Sequence, residues 1–590
     1  MKALHGYRWC WTVLSVGLSY ATPAAGETAP YSAYEQDVIA EALRQTSAAI
    51  DPAPEGKTVE QILIYRLKVF DHRDPVPKFV NVLHKTSQER VIRRELLQNV
   101  GERYDGERVA ESARNLREII QVSLVLILPI VGSTPDRVRL LVVTKDIWSL
   151  RAAWDPEITS HGFTRLAAAV DEINLAGLHK TVSLTGGFDP GSYWYGAAYT
   201  DPRVAGSRIG AMAAGSLVFD RATGAPEGSV GVLWYHQPLY SVATRWGWEV
   251  FVGWRDDVER SYVGTELRRY DATATVERDQ LAYEWQRGLW YGTNAIVRSL
   301  GSANKLDVQV GFEALRGEYH LGSLEGSPAA VAEFRDTEVP PNHQRIGPFV
   351  GLRAWSNRFL RTLDVDTLAL QEDIALGHDV GVRLYPASRA CGSSRDLVGV
   401  VATGAYTVAL GDGLARAVAT SAIEFAGPRS DTLVSGQVHL VSPRLGFGRL
   451  VYDGAVAYRP ADYYKQRFVL GLENRLRGYA TGARRGRDYA ASTLEFRSTS
   501  VGLLGVQLGG AVFYDVGDAG PRLADLTPQQ SVGAGLRLLA PMFDRTVFRF
   551  DVGFPLGDQA DQTWGFFIGF YQAIPLPRTH YGRVPAVLLE

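Results

Sequence analysis

From about residue 152 to 571 apolar and polar positions alternate with a period of two. In "TVFRFDVGF", Phe548, Phe550, Val552 and Phe554 share one face, and Val547, Arg549, Asp551 and Gly553 share the other. In "SVGAGLRLL", Val532, Ala534, Leu536 and Leu538 oppose Gly533, Gly535 and Arg537. Such a period is that of a β-strand. One apolar face against a face of glycine and charge suits a wall between lipid and a polar interior. A soluble sandwich would bury its apolar faces instead. In lipid an open sheet edge leaves backbone groups unpaired, so the sheet must close. About 420 residues, at roughly 26 per strand and connection, predict an all-β transmembrane barrel of about 16 antiparallel strands.

The pattern ahead of this region is different. Residues 31 to 49 read as a helix with Val38, Ile39, Ala42 and Leu43 on one side, ending at "DPAPEG". "QILIYRLKVF" reads as a strand. In "TSQERVIRRELLQNVG", Thr86 stands three residues before Glu89, a capping-box spacing that predicts a helix with Val91, Ile92 and Leu96 inward and a stop at Gly101. A second helix is predicted from Asp105, with Val109, Ala113, Leu116 and Ile120 as its stripe. "QVSLVLILPIV" and "RVRLLVVTKDIW" flank the turn "GSTPD" as two more strands. The expected order is β-α-α-β-β, a small sheet covered by two helices on one face. The basic run Arg90, Arg93 and Arg94 interleaves with Glu89 and Glu95, as a solvated helix face does.

Composition narrows the picture. Net charge is −2, which leaves no electrostatic footprint for nucleic acid. Lys2 and Arg8 precede "WCWTVLSVGL" and the small-residue stretch "ATPAAG", the plan of a secretory signal cleaved near Gly26. Cys10 leaves with it, so Cys391 is alone and no disulfide is expected. The organisation is therefore a signal peptide (1–26), a helix and linker (27–56), a front domain (57–150), a barrel (152–571) and a C-terminal extension (572–590). No nucleophile elbow, zinc-protease motif or P-loop occurs, and the 11 histidines form no ligand-spaced cluster. No enzyme activity, cofactor or metal is expected. His84, near a turn, reads as a capped or solvated residue.

One loop late in the barrel carries a charge pattern of its own. "LRGY" places Leu476, Arg477, Gly478 and Tyr479 ahead of the strands "STLEFR" and "AVFYDVGD". Alternation puts Ser492, Leu494 and Phe496 on one face and Glu495 on the other. In the second strand Val512, Tyr514 and Val516 leave Phe513 and Asp515 opposite. Two inward carboxylates on neighbouring strands, about 4.8 Å apart in backbone, call for a cation between them. A planar guanidinium can bridge both in a fixed orientation. The loop is expected inside the barrel, with Arg477 tied to Glu495 and Asp515, Gly478 allowing close approach and Tyr479 wedged at the wall.

Three resemblances follow from these residues. The front unit, with "VIRRELLQNVGERYD" and "ESARNLR", resembles the polypeptide-transport-associated (POTRA) domain. The loop, the Phe513-x-Asp515 strand motif and Glu495 resemble the superfamily of bacterial surface antigens that includes the BamA-type assembly proteins and the two-partner secretion exporters. "DEINLAGLHKTVSL" is similar to that family's first barrel strands. "TWGFFIGF", with Thr563, Gly565, Ile568 and Phe570, resembles the C-terminal targeting signal of outer-membrane barrels, although 20 residues follow Phe570. The resemblance implies a bacterial outer-membrane protein with its front domain in the periplasm. It would assist insertion, assembly or translocation of polypeptides, capturing extended clients at a strand edge, in contact with outer-membrane lipid and with periplasmic accessory proteins. A dedicated exporter of one secreted partner and a passive pore are the alternatives.

Overall fold

The computed structural model describes residues 31–70, 77–159, 162–273, 279–472, 475–543, 545–557 and 563–577. The signal-peptide reading and most of the C-terminal extension lie outside the described residues.

The front domain runs α1 (Ala33–Thr46), β1 (Thr58–Leu67), α2 (Glu89–Arg93), α3 (Gly106–Arg117), β2 (Val122–Val131) and β3 (Arg137–Asp146). The sheet order is β1-β3-β2, with β1 parallel and β2 antiparallel to β3. Ile92, Val109, Ala113 and Leu116 from the helices pack on one face against Val59, Val138, Leu140 and Val142. The expectation of a sheet covered on one face is corrected. Helix α1 covers the other face, burying Val38, Ile39 and Ala42 against Leu126, Leu128, Leu141 and Val143. β2 and β3 are apolar on both sides, so a second layer is what keeps them dry.

Three local expectations also change. Helix α2 starts after Gln88 with no side-chain cap, not at a Thr86 capping box. Residues before it are held extended by the Ser87 amide donating to Asp146 Oδ2 (2.6 Å) and by the neighbouring barrel turn. The helix ends at Arg93, well short of Gly101, and α3 ends at Arg117, leaving Ile120 exposed. Both sheet edges are partly taken. Ala49–Asp51 pairs with the end of β2 through Ile50 and Ile130, and residues 101–104 pair with the start of β1.

Of the remaining strands, six short ones form three two-stranded ribbons in the far-end loops and the rest form one closed antiparallel sheet. It begins with β4 (Leu150–Thr159) and ends with Gly565–Phe570, which lies beside β4 and seals the cylinder. Among the described residues it has 22 strand segments. Two pairs continue each other against one neighbour, His343–Ser356 with Arg358–Thr362 and Asp488–Ser498 with Val501–Leu503, so the wall has 20 staves. The expectation of about 16 strands is corrected, because many connections are tight: Leu410 and Gly413 are separated by two residues. Outside, Leu494, Val512, Leu536 and Phe554 are exposed; inside, Arg477, Glu495, Asp515 and Asp551 are buried. Among the described residues no helix is long and apolar enough to cross a membrane.

The front domain sits across one end of this barrel, the near end. Gln88 N donates to Gly177 O (2.9 Å), and the Ser87 hydroxyl lies 2.7 Å from His179 Nε2. Glu95, from the run expected to be a solvated face, is buried between Arg203 and Arg208 of the barrel at 2.6 and 2.8 Å. Burial opposes its ionisation, yet these guanidiniums hold its carboxyl below the usual range. Arg117 bonds Asp373 (2.7 Å), and Trp148 N donates to Met542 O (2.8 Å). His84 caps a short helical turn, its amide donating to Asn81 O (3.2 Å), but its ring is not solvated: the side chain is buried, 3.3 Å from Asp146. At the far end, helix α4 (Pro328–Thr337) packs Phe334 on Tyr283 and Trp285 over the mouth. Cys391 is exposed in a far-end turn.

Candidate functional site

The loop between the strands Gly448–Ala461 and Asp488–Ser498 enters the lumen from the far end. Leu476 anchors it, fully buried with Leu470, Tyr479, Ala491 and Ala519. Its carbonyl accepts from Tyr479 N (3.3 Å), so the chain turns tightly there, and Tyr479 Oη donates to Gln530 O (3.1 Å). Gly478 has φ 107°, where L side chains are strained, and a Cβ would stand 2.9 Å from the backbone of Gly553. A Cβ on Gly553 would in turn stand 2.7 Å from Arg477. Two facing glycines therefore let loop backbone lie directly on wall backbone.

That contact sets the depth of Arg477. Its Nε and Nη2 donate to the two oxygens of Asp515 at 2.9 Å each, and its amide donates to Asp515 Oδ2 at 3.0 Å. Nη1 donates to Glu495 Oε2 at 2.6 Å and lies 3.5 Å from Asp551. The guanidinium stacks 3.4 Å above the Phe513 ring. A fork of donors on two carboxylates, with an aromatic floor, suits arginine and no other side chain. The network extends further. Arg497 donates to Glu495 Oε1 (2.7 Å), Arg537 to Asp551 (2.5 Å), and Arg549 to Asp551 (3.1 Å). Four guanidiniums thus meet three carboxylates in a layer shut off from solvent. Removing one partner from such a buried set leaves uncompensated charge.

The structure brings Leu476, Arg477, Gly478, Tyr479, Phe513, Glu495 and Asp515 into one place. Thr563, Gly565, Ile568 and Phe570 lie elsewhere. Pairing of the last strand begins at Gly565 opposite Gly553, so Thr563 is an exposed residue ahead of the strand, not part of it. Ile568 and Phe570 face outward, and the Phe570 ring meets Phe548 edge-on at 5.6 Å. Asp551, Arg497, Arg537 and Arg549 were missing from the sequence-derived site. Alternation had already put Asp551, Arg537 and Arg549 on the inward face; what it lacked was which strands stand opposite the loop. Among the described residues no cluster could hold a metal ion. The layer fastens the loop to the barrel wall.

No family model matches the chain, and no curated protein does. Among solved structures it is similar to BamA from Haemophilus ducreyi lacking POTRA domains 1–3, at 13% identity over 92% of this chain and 94% of that one, with a TM-score of 0.37. It is similar to CdiB from Escherichia coli, at 11% identity over 89% and 80%, TM-score 0.41. CdiB from Acinetobacter baumannii follows, at 11% over 88% and 74%, TM-score 0.39. Likenesses of this size carry no weight for what the site does, which rests on its own geometry.

Proposed function

We propose that this chain is a bacterial outer-membrane barrel that helps polypeptides enter or cross the membrane, with its front domain in the periplasm. The observation that carries the reading is the Arg477 loop, fastened by two carboxylates inside a closed barrel whose near mouth is covered by a domain of its own. A passive pore has no use for a lumen filled from one end and covered at the other. A machine that alternates between closed and working states does. The front domain would present a strand edge to an extended client. The uncovered middle of β2 is the candidate, since Ala49–Asp51 occupies only its end.

The dedicated-exporter reading gains from one feature. A cavity of about 460 Å³ lies between α3 and the barrel mouth, lined by Arg114, Tyr240, Lys305, Phe359 and Asp373, where a passing segment would thread. Quantitative proteomics of outer-membrane fractions after depletion of the chain separates the readings. Loss of many barrel proteins supports an assembly factor, and loss of one secreted protein supports an exporter. An unchanged envelope would defeat both.

A further inference from the structure

The chain does not stop at its last strand. Tyr571, at φ 70° and held by its amide donating to Val547 O (2.7 Å), turns the backbone into the lumen. Residues 572–577, "QAIPLP", then lie beneath the buried ion layer. Ile574 is buried in a pocket of Leu360, Val365, Ile374, Leu414, Val441 and Val451. Its carbonyl accepts from Arg497 Nη2 (3.0 Å). Leu576 N donates to the Asp366 carboxylate (3.2 Å), and Gln572 Oε1 accepts from Arg537 Nε (3.0 Å).

The walls of this pocket are fixed without the tail. Arg497 is held by Glu495 and by Val365 O (2.7 Å). The turn bearing Asp366 is held by Val365 N and Asp366 N, both donating to Glu372 at 2.9 Å. The tail suits the pocket as a ligand suits a site. Pro575 and Pro577 carry no N–H, so the only amide among residues 575–577 is that of Leu576, and Asp366 takes it. The prolines also hold the segment extended before it binds, which lowers the ordering cost.

We propose that the near half of the lumen is a binding site for an extended, proline-flanked aliphatic peptide, and that residues 572–577 are its tethered, displaceable occupant. The site stands whatever the barrel's client is. The test uses the full chain and a chain ending at Tyr571, both refolded in detergent and checked for the heat-dependent gel shift of a closed barrel. The probe is a fluorescent peptide of residues 571–578, "YQAIPLPRT" without its last residue. The truncated chain is expected to bind it saturably. The full chain should bind it at least about tenfold more weakly, because a tethered copy competes at an effective concentration near millimolar. A peptide carrying Ile574→Asp should lose about tenfold or more in affinity, since a carboxylate cannot enter the aliphatic pocket. A folded truncated chain that ignores the peptide, or equal binding by both chains, would overturn the proposal. Should the truncated chain not fold, a specific protease site between Tyr571 and Gln572, cut after folding, decides the matter. Exchange of the cut tail for labelled peptide supports the site, and a cut tail that resists excess peptide refutes it.

Discussion

At the scale of residues, Arg477 is the cation that makes the layer of inward acids tolerable. Arg477→Ala is expected to lower stability by about 3–5 kcal/mol, because Asp515 and Glu495 then lie buried without it. The check is the urea midpoint of refolded protein. Arg477→Lys should recover only part of the loss, since an ammonium cannot bond both oxygens of Asp515 while stacking on Phe513. Gly478→Ala and Gly553→Ala make a separate prediction. Each puts a methyl into the backbone contact between loop and wall, so each should cost about 1–3 kcal/mol and expose the loop to protease. Ordinary protease resistance in both variants would show that the loop need not lie on the wall.

At the scale of elements, the front domain and the barrel turn at 176–179 hold each other. Gly177, at φ 74°, has no room for a Cβ, which would stand 2.7 Å from Thr86 O. His179 is pushed down to about 4, first by burial, with Arg94 and Arg203 adding to the shift and Asp146 and Glu95 opposing it. The docked state therefore needs a neutral imidazole and binds fewer protons than the undocked state between about pH 6.5 and 4. Docking is expected to weaken as pH falls through that window, by on the order of 3 kcal/mol at its lower end. Protease cleavage between the domain and β4, followed against pH, reads this out, and His179→Gln should flatten the profile. The sequence made α3 and the three strands legible. It did not disclose the two-layer cover of the sheet or the late start of α2, because both depend on partners far along the chain: β2 and β3 for α1, and Asp146 and the barrel turn for residues 84–88.

At the scale of the molecule, a barrel of 20 staves is wide enough for an aqueous channel, yet this one is filled from both ends. The protein is expected to show little conductance in planar bilayers, and Arg477→Ala should raise the frequency of large openings. Large steady steps in the unmodified protein would contradict the closed arrangement. Alternation in segments such as "TVFRFDVGF" was enough to indicate a barrel and the faces of its strands, because one face must meet lipid along every stave. The stave count was not legible, since connections as short as the two residues between Leu410 and Gly413 leave no compositional gap. Nor was the fate of the tail, because nothing in "QAIPLP" names the pocket formed by strands more than a hundred residues earlier.

The turn that carries Cys391 gives the molecule a built-in address label. In whole cells a thiol reagent too polar to cross lipid should tag that sulfur when the helix-capped mouth looks out on the medium, and should spare it until the envelope is broken when the barrel is mounted the other way round.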